Sequence, residues 1–321
     1  MGSLGTLLQN HLDLTLILAG VIATAVTYAV SKDNRTTTLV ALCAGVIWVY
    51  GNTLSVLPNI WEEQPQYSHG YLVPAFACVL LWMRWQPLGE SSPSERWAGA
   101  ALIGVSVLLR LPLSFFAQII PEMVTVLPAL CGAFLLVGGW KALRWAWPAI
   151  LFLIFMFPLP DFIERGLLNP LQKLATIAST YCLQTLGLAA FREGNRIILG
   201  DIKLGVVDAC SGLRMLTIFF ALSSAIILVT VRPLWERIVI MLSAIPIALA
   251  VNIARITVTG VLYEYANKEL AETVFHDLAG WVMMPMALGL LYCELQLMAH
   301  LVIDDDAQED AGLGHTAVAG N

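Results

Sequence analysis

Asp208-Ala209-Cys210-Ser211-Gly212-Leu213-Arg214 continues as Met215-Leu216-Thr217-Ile218-Phe219-Phe220-Ala221-Leu222 and stays apolar to Val231. Within a few residues a polar stretch becomes an apolar run close to the roughly 20 residues needed to cross a bilayer. Similar runs recur at about 12–31, 37–57, 70–84, 97–113, 122–139, 145–160, 237–259 and 276–300. The pattern predicts an all-α fold, a polytopic transmembrane helical bundle of about 8–9 spans.

Composition points the same way. The 321 residues are 58% hydrophobic and 12% charged, with a mean hydropathy of +0.77; a soluble domain carries about 25% charged residues. Nothing suggests nucleic-acid binding. Much of the net charge of −6 comes from Asp304-Asp305-Asp306 and Glu309-Asp310. Residues 304–321 read as a disordered acidic cytoplasmic tail and 1–303 as a single membrane domain. The first apolar run has no basic segment before it and reads as a retained span. The six cysteines include no Cys-x-x-Cys pair, and neither a His-Glu-x-x-His motif nor a Gly-rich phosphate loop is present. No metal or cofactor is expected. Cys210 stands apart from the other five because acidic, basic and small residues surround it.

Lys and Arg set the orientation. Lys32 and Arg35, Arg84 and Arg96, Lys141 and Arg144, and Arg232 and Arg237 mark alternate connections as cytoplasmic. The segments 58–69, 114–121 and 260–275 hold only Lys268 among them and fall outside. Segment 161–210 departs from the rule, since it carries Arg165, Lys173, Arg192, Arg196 and Lys203 yet also falls outside. Within it, 168–190 opposes an apolar stripe to Gln172, Lys173, Thr176, Ser179 and Thr180, which suits an interfacial or re-entrant amphipathic helix. A true span there would flip the topology upstream. Two β-prone runs then flank Gly200-Asp201 and predict a short hairpin just before Cys210.

The chain enters the membrane after Cys210, returns near Arg255 in Asn252-Ile253-Ala254-Arg255, and enters again after His276. That parity puts all three residues on one face, and a thiol, a guanidinium and an imidazole together suit nucleophilic acyl transfer. A helix N-terminus favours thiolate and offers N–H groups to an oxyanion. Arg214 lies four residues past Cys210 and Asn252 three before Arg255, each on its partner's helical face. A charge on a membrane helix costs about 2.5–3.5 kcal/mol, which marks Arg255 as functional. His276 titrates near neutrality. Tyr67-Ser68-His69-Gly70 either supplies a second imidazole or forms a structural turn. Two other readings stay open. One is an intramembrane cysteine peptidase that only hydrolyses; the other is a transporter or lipid-binding scaffold whose arginines hold an anion.

At these residues the chain resembles the exosortase/archaeosortase family of membrane transpeptidases. The resemblance rests on Tyr67-Ser68-His69-Gly70, Phe157-Pro158-Leu159-Pro160, Ala209-Cys210-Ser211-Gly212-Leu213-Arg214, Asn252-Ile253-Ala254-Arg255 and His276, which follow the family's order from about 60 to 300. It implies an inner-membrane thiol protease or transpeptidase with its site on the periplasmic side. Such an enzyme cuts a C-terminal tripartite sorting signal of exported proteins, typically with a Pro-Glu-Pro motif, and passes the new C-terminus to a surface acceptor. Cys210 would be the nucleophile, Arg255 the stabiliser and His276 the acid/base. Arg214, Asn252, His69, Arg192 and Arg196 would bind or support substrate. The implied partners are these exported substrates, membrane lipid and the unknown acceptor. The His at position 276 favours the bacterial branch, and a fused soluble domain is not expected.

Overall fold

Ser92-Pro93-Ser94-Glu95 starts a helix by a reciprocal cap. The Glu95 backbone N–H reaches Ser92 Oγ at 3.4 Å, and Glu95 Oε2 accepts from Ser92 N–H at 2.6 Å, so two of the helix's orphan donors are satisfied. Pro93 fits the first turn, where no N–H is needed. In the computed structural model, residues 34–200, 202–205, 212–230, 232–265 and 279–301 are described. They form α1 (Asn34–Val49), α2 (Gly51–Leu54), α3 (Leu57–Glu63), a 3-10 turn (Pro65–Tyr71), α4 (Leu72–Met83), α5 (Pro93–Phe115), α6 (Ile119–Val124), α7 (Val126–Phe152) and a second 3-10 turn (Leu153–Met156). Then follow α8 (Asp161–Thr185), β1 (Ala190–Glu193), β2 (Arg196–Leu199), β3 (Ile202–Gly205), α9 (Gly212–Val229), α10 (Leu234–Tyr265) and α11 (Ala279–Leu301). The chain is a mostly helical membrane protein. It divides into two compact units, the first holding residues to Asn169 with Leu213–Val231, the second Pro170–Gly212 with the residues from Arg232 onward.

Among the described residues, Pro93–Phe115, Ile119–Met156 and Leu234–Tyr265 are long and apolar enough to cross a membrane. A fourth is counted if α1 and Gly51–Glu63, bent by 65°, form one span. The expected count of eight or nine is not reproduced. The run 12–31 lies outside the described residues, as do side chains toward the ends of α9 and α11, whose described apolar stretches are Leu216–Val229 and Leu288–Met298.

The first unit is organised by a break at Gly139, whose φ of 65° and ψ of −165° leave the helical region. A straight helix would hold Phe134 and Trp145 about 16 Å apart along its axis. Their rings are instead 5.5 Å apart, so α7 doubles back. The break forfeits the bond from Trp140 N–H to the Leu136 carbonyl, and both groups find replacements. Trp140 N–H donates to Glu95 Oε1 at 3.0 Å, and Ser91 Oγ donates to the Leu136 carbonyl at 2.9 Å. Leaving either group unpaired in an apolar setting would cost several kcal/mol.

α5 and the first half of α7 run antiparallel at close range. A Cβ on Gly99 would lie 2.7 Å from the Gly132 carbonyl and 2.6 Å from Leu136 N. Such small-residue contacts are how membrane helices gain packing where lipid supplies no hydrophobic drive. At the far end Arg110 Nε meets Glu122 Oε1 at 2.9 Å. Thr53 Oγ1 also donates to Glu122, at 2.6 Å, and the guanidinium lies over the Tyr50 ring.

The second unit reverses the expected orientation of its amphipathic helix. Gln172, Thr176, Ser179 and Thr180 of α8 are buried, whereas Leu174, Ile177 and Tyr181 are exposed. The polar stripe therefore faces protein and the apolar stripe faces outward, the opposite of a helix resting on water. Thr176 and Thr180 bond back to the carbonyls of Gln172 and Thr176, both at 2.7 Å, so burial leaves no orphaned hydroxyl there. Lys173 alone of the five stays exposed.

The predicted hairpin at Gly200-Asp201 is present as β2 and β3, but it belongs to a three-stranded antiparallel meander. β1 was not anticipated; Gly194, at φ 62°, permits the extra turn. Ile197, Leu199 and Leu204 point inward and share a core with Leu183 of α8 and Ile256 of α10.

Candidate active site

Asn252 and Arg255 sit one turn apart on α10. Asn252 is 3% exposed, and Arg255 is half-buried. The expected span ended near 259, but α10 continues to Tyr265. Arg255 therefore lies about 15 Å before the helix end. The extension is stable because Thr257 Oγ1 donates to the Ile253 carbonyl at 2.8 Å and Gly260 lets Leu183 and Leu199 pack closely. Ser179 Oγ approaches the same Ile253 carbonyl at 3.5 Å. The polar face of α8 thus lies along the segment that carries Asn252 and Arg255. Further along, Ser243 Oγ donates to Glu294 Oε2 at 2.7 Å and joins α10 to α11.

Arg192 and Arg196 are both exposed, but the register separates them. Arg192 is paired with Ile197, and Arg196 with Glu193 and Gly205. Facing partners share a side and neighbours alternate. Arg192 thus lies on the face of Ile197, and Arg196 on the opposite face with Lys203. The sheet does not present the two arginines as one anion clamp.

Cys210 and His276 lie outside the described residues. Arg214 falls within α9, its side chain outside them. α9 belongs to the first unit, where Thr217 Oγ1 donates to the Gln66 carbonyl at 3.2 Å. This bond ties the second turn of the helix that follows Cys210 to the 3-10 turn holding Tyr67-Ser68-His69-Gly70.

That turn is fixed from several sides. Tyr67 Oη accepts from Leu159 N–H at 3.0 Å and donates to Glu164 Oε2 at 3.4 Å. Burial pushes the Tyr67 phenol up to about 12, against the lowering effect of the Leu159 N–H. Trp61 Nε1 donates to the Met156 carbonyl at 2.9 Å, and its indole fills the space that a side chain at Gly70 would need. Burial holds the His69 imidazole below its ordinary value, partly opposed by the Phe155 and Gln66 carbonyls. Its Nδ1 is buried with no hydrogen-bond partner among the described residues. The motif is a built turn, with the His69 ring half-buried in it.

Beside the turn lies a cleft of about 1170 Å³ in the first unit. Gln64 and Gln66, Gln118 and Ile119, and Leu159 with Glu164 line it from three separate connections. Sequence reading passed over Tyr67 as a bridge, Thr217 and Glu164. Only the proline-bounded ends of the helices hinted at this region. Among the described residues, no group of three or more His, Cys, Asp or Glu is placed to hold a metal ion.

The protein is thus a mostly helical membrane protein in which Asn252 is buried and Arg255 half-buried on α10. The family model for transmembrane exosortases matches residues 61–293, more than half of the chain, and the chain belongs to that family. No curated protein and no solved structure matches it.

Proposed function

We propose that the protein is a cysteine transpeptidase of the inner membrane, with its site at the periplasmic face. Its substrates are exported proteins that carry a C-terminal tripartite sorting signal, and its product is a new C-terminus joined to a surface acceptor. The observation that carries this reading is the family match, whose span of 61–293 includes His69, Cys210, Asn252, Arg255 and His276.

In this mechanism His276 takes the Cys210 thiol proton, and the thiolate attacks the peptide carbonyl. Arg255, with Asn252, stabilises the tetrahedral oxyanion. Collapse breaks the C–N bond; the leaving amine takes the proton from His276, and a thioester remains on Cys210. An acceptor amine then attacks the thioester, passing its proton to His276 and the C-terminus to itself. The burial of Asn252 and the inward polar face of α8 support a desolvated setting for Arg255, in which hydrogen bonds to developing charge strengthen.

The test is co-expression of a membrane-anchored substrate bearing the signal with wild type or Cys210→Ala. Processing by wild type alone is expected, with the mass of the new C-terminus showing an amine adduct. Equal processing by both would remove Cys210 as nucleophile; a free acid alone would restrict the enzyme to hydrolysis.

A further inference from the structure

We propose that the cleft beside the Tyr67-Ser68-His69-Gly70 turn seats an extended stretch of the substrate polypeptide. The inference rests on the transpeptidase reading and adds the place where that substrate is held.

Size favours a polymer. At about 1170 Å³ the cleft exceeds the roughly 300–1000 Å³ of small-molecule sites. Its chemistry favours a peptide. Gln66 Nε2 donates to Gln64 Oε1 at 3.3 Å and Gln118 Nε2 to the Phe116 carbonyl at 3.4 Å, which orients the three amides and leaves each a further N–H and carbonyl lone pair of the kind an extended backbone matches. Apolar groups such as Ile60, Ile119 and Phe162 share the lining with them and suit apolar side chains of a bound peptide.

Charge adds a direction. Arg165 and Asp161 pair with each other at 3.4 Å. Glu164 then remains as the acceptor facing the cleft, with the Tyr67 hydroxyl on one oxygen. A substrate N–H or a basic side chain fits it. The walls are set beforehand, which lowers the ordering cost of binding. Tyr67 fixes Leu159 and Glu164, and Thr217 fixes the Gln66 carbonyl. Thr217 lies seven residues past Cys210 in the chain, so the helix carried by the nucleophile segment also holds the cleft wall.

The experiment places a benzoylphenylalanine photoprobe at Gln118, and separately at Gln64, in the full-length Cys210→Ala protein in membranes. Both positions are exposed and tolerate the probe. Irradiation with a signal-bearing substrate should yield an adduct to the substrate polypeptide at both sites. In the active enzyme, Ile119→Trp should raise KM about tenfold with kcat within about twofold, the signature of lost ground-state binding. Adducts to lipid alone, or no substrate adduct at either site, would overturn the proposal. The adduct is read without turnover. A substrate adduct with no Cys210-dependent processing therefore sinks the transpeptidase reading and spares the cleft, and the converse result sinks the cleft alone.

Discussion

Arg110→Met should destabilise the first unit far more than its partial exposure suggests. Its side chain is 20% exposed and that of Glu122 is 7% exposed. At 2.9 Å and an effective dielectric near 20, their attraction is about 6 kcal/mol. Desolvation of both groups offsets part of it. Removing Arg110 alone leaves Glu122 buried with Thr53 as its remaining hydrogen-bond donor, at a cost of about 3–5 kcal/mol. Glu122→Met should cost less, about 1–3 kcal/mol, because Arg110 has the reach to carry its head toward polar surroundings. The double replacement should cost clearly less than the sum, with a coupling of at least about 2 kcal/mol. Reversible unfolding in mixed micelles, followed by tryptophan fluorescence, gives all four corners of the cycle. The pair also closes the connection that holds Gln118 and Ile119 on the cleft, so Arg110→Met should raise KM as well. Single and double effects that add within about 0.5 kcal/mol would refute the reasoning, since the two groups would then not interact.

Three other outcomes follow from the geometry. Gly99→Leu should abolish stable accumulation of the protein, measured by yield and size-exclusion profile, because the new side chain meets the backbone of α7. Arg255→Lys should lower kcat/KM by about 10²–10³ with folding unchanged, since lysine keeps the charge but not the planar donor fork; unimpaired processing would remove Arg255 from the transition state. Because burial depresses the His69 value below 6.5, the neutral ring's contribution to stability is present above 6.5 and declines as pH falls through the folded value. Titrated denaturation of wild type against His69→Gln should show a shallower acid decline in the variant.

Local pattern carried much of this architecture. The runs 70–84, 97–113 and 211–231 gave α4, α5 and α9 close to their observed limits, and Gly200-Asp201 gave the β2–β3 turn because a tight turn writes itself into adjacent residues. What escaped is non-local. The stripe of Gln172, Thr176, Ser179 and Thr180 has the right period for an amphipathic helix, but period alone does not say which side meets lipid. In water a polar stripe faces out, whereas beside lipid it turns toward protein. Arg110 and Glu122 each sit in an apolar stretch with no neighbour in sequence to announce the other, and their pairing emerges only when α5 and α6 fold back. Of the candidate site residues, Asn252 and Arg255 share a helical face as their spacing implied. That Arg192 and Arg196 stand on opposite faces of the sheet follows from an alternation that only the register of β1 reveals.

The bond from Thr217 to the Gln66 carbonyl joins residues 151 positions apart. At about 5–20 residues per second of synthesis, Thr217 is made about 8–30 s after Gln66. Throughout that interval the nascent turn lacks its clasp, however early the surrounding helices enter the bilayer. Ribosome-stalled chains ending before Thr217 should therefore carry a looser Tyr67-Ser68-His69-Gly70 turn than chains extended beyond it. Maturation of this part of the protein is timed by the ribosome, and the last stitch comes from the helix that follows Cys210.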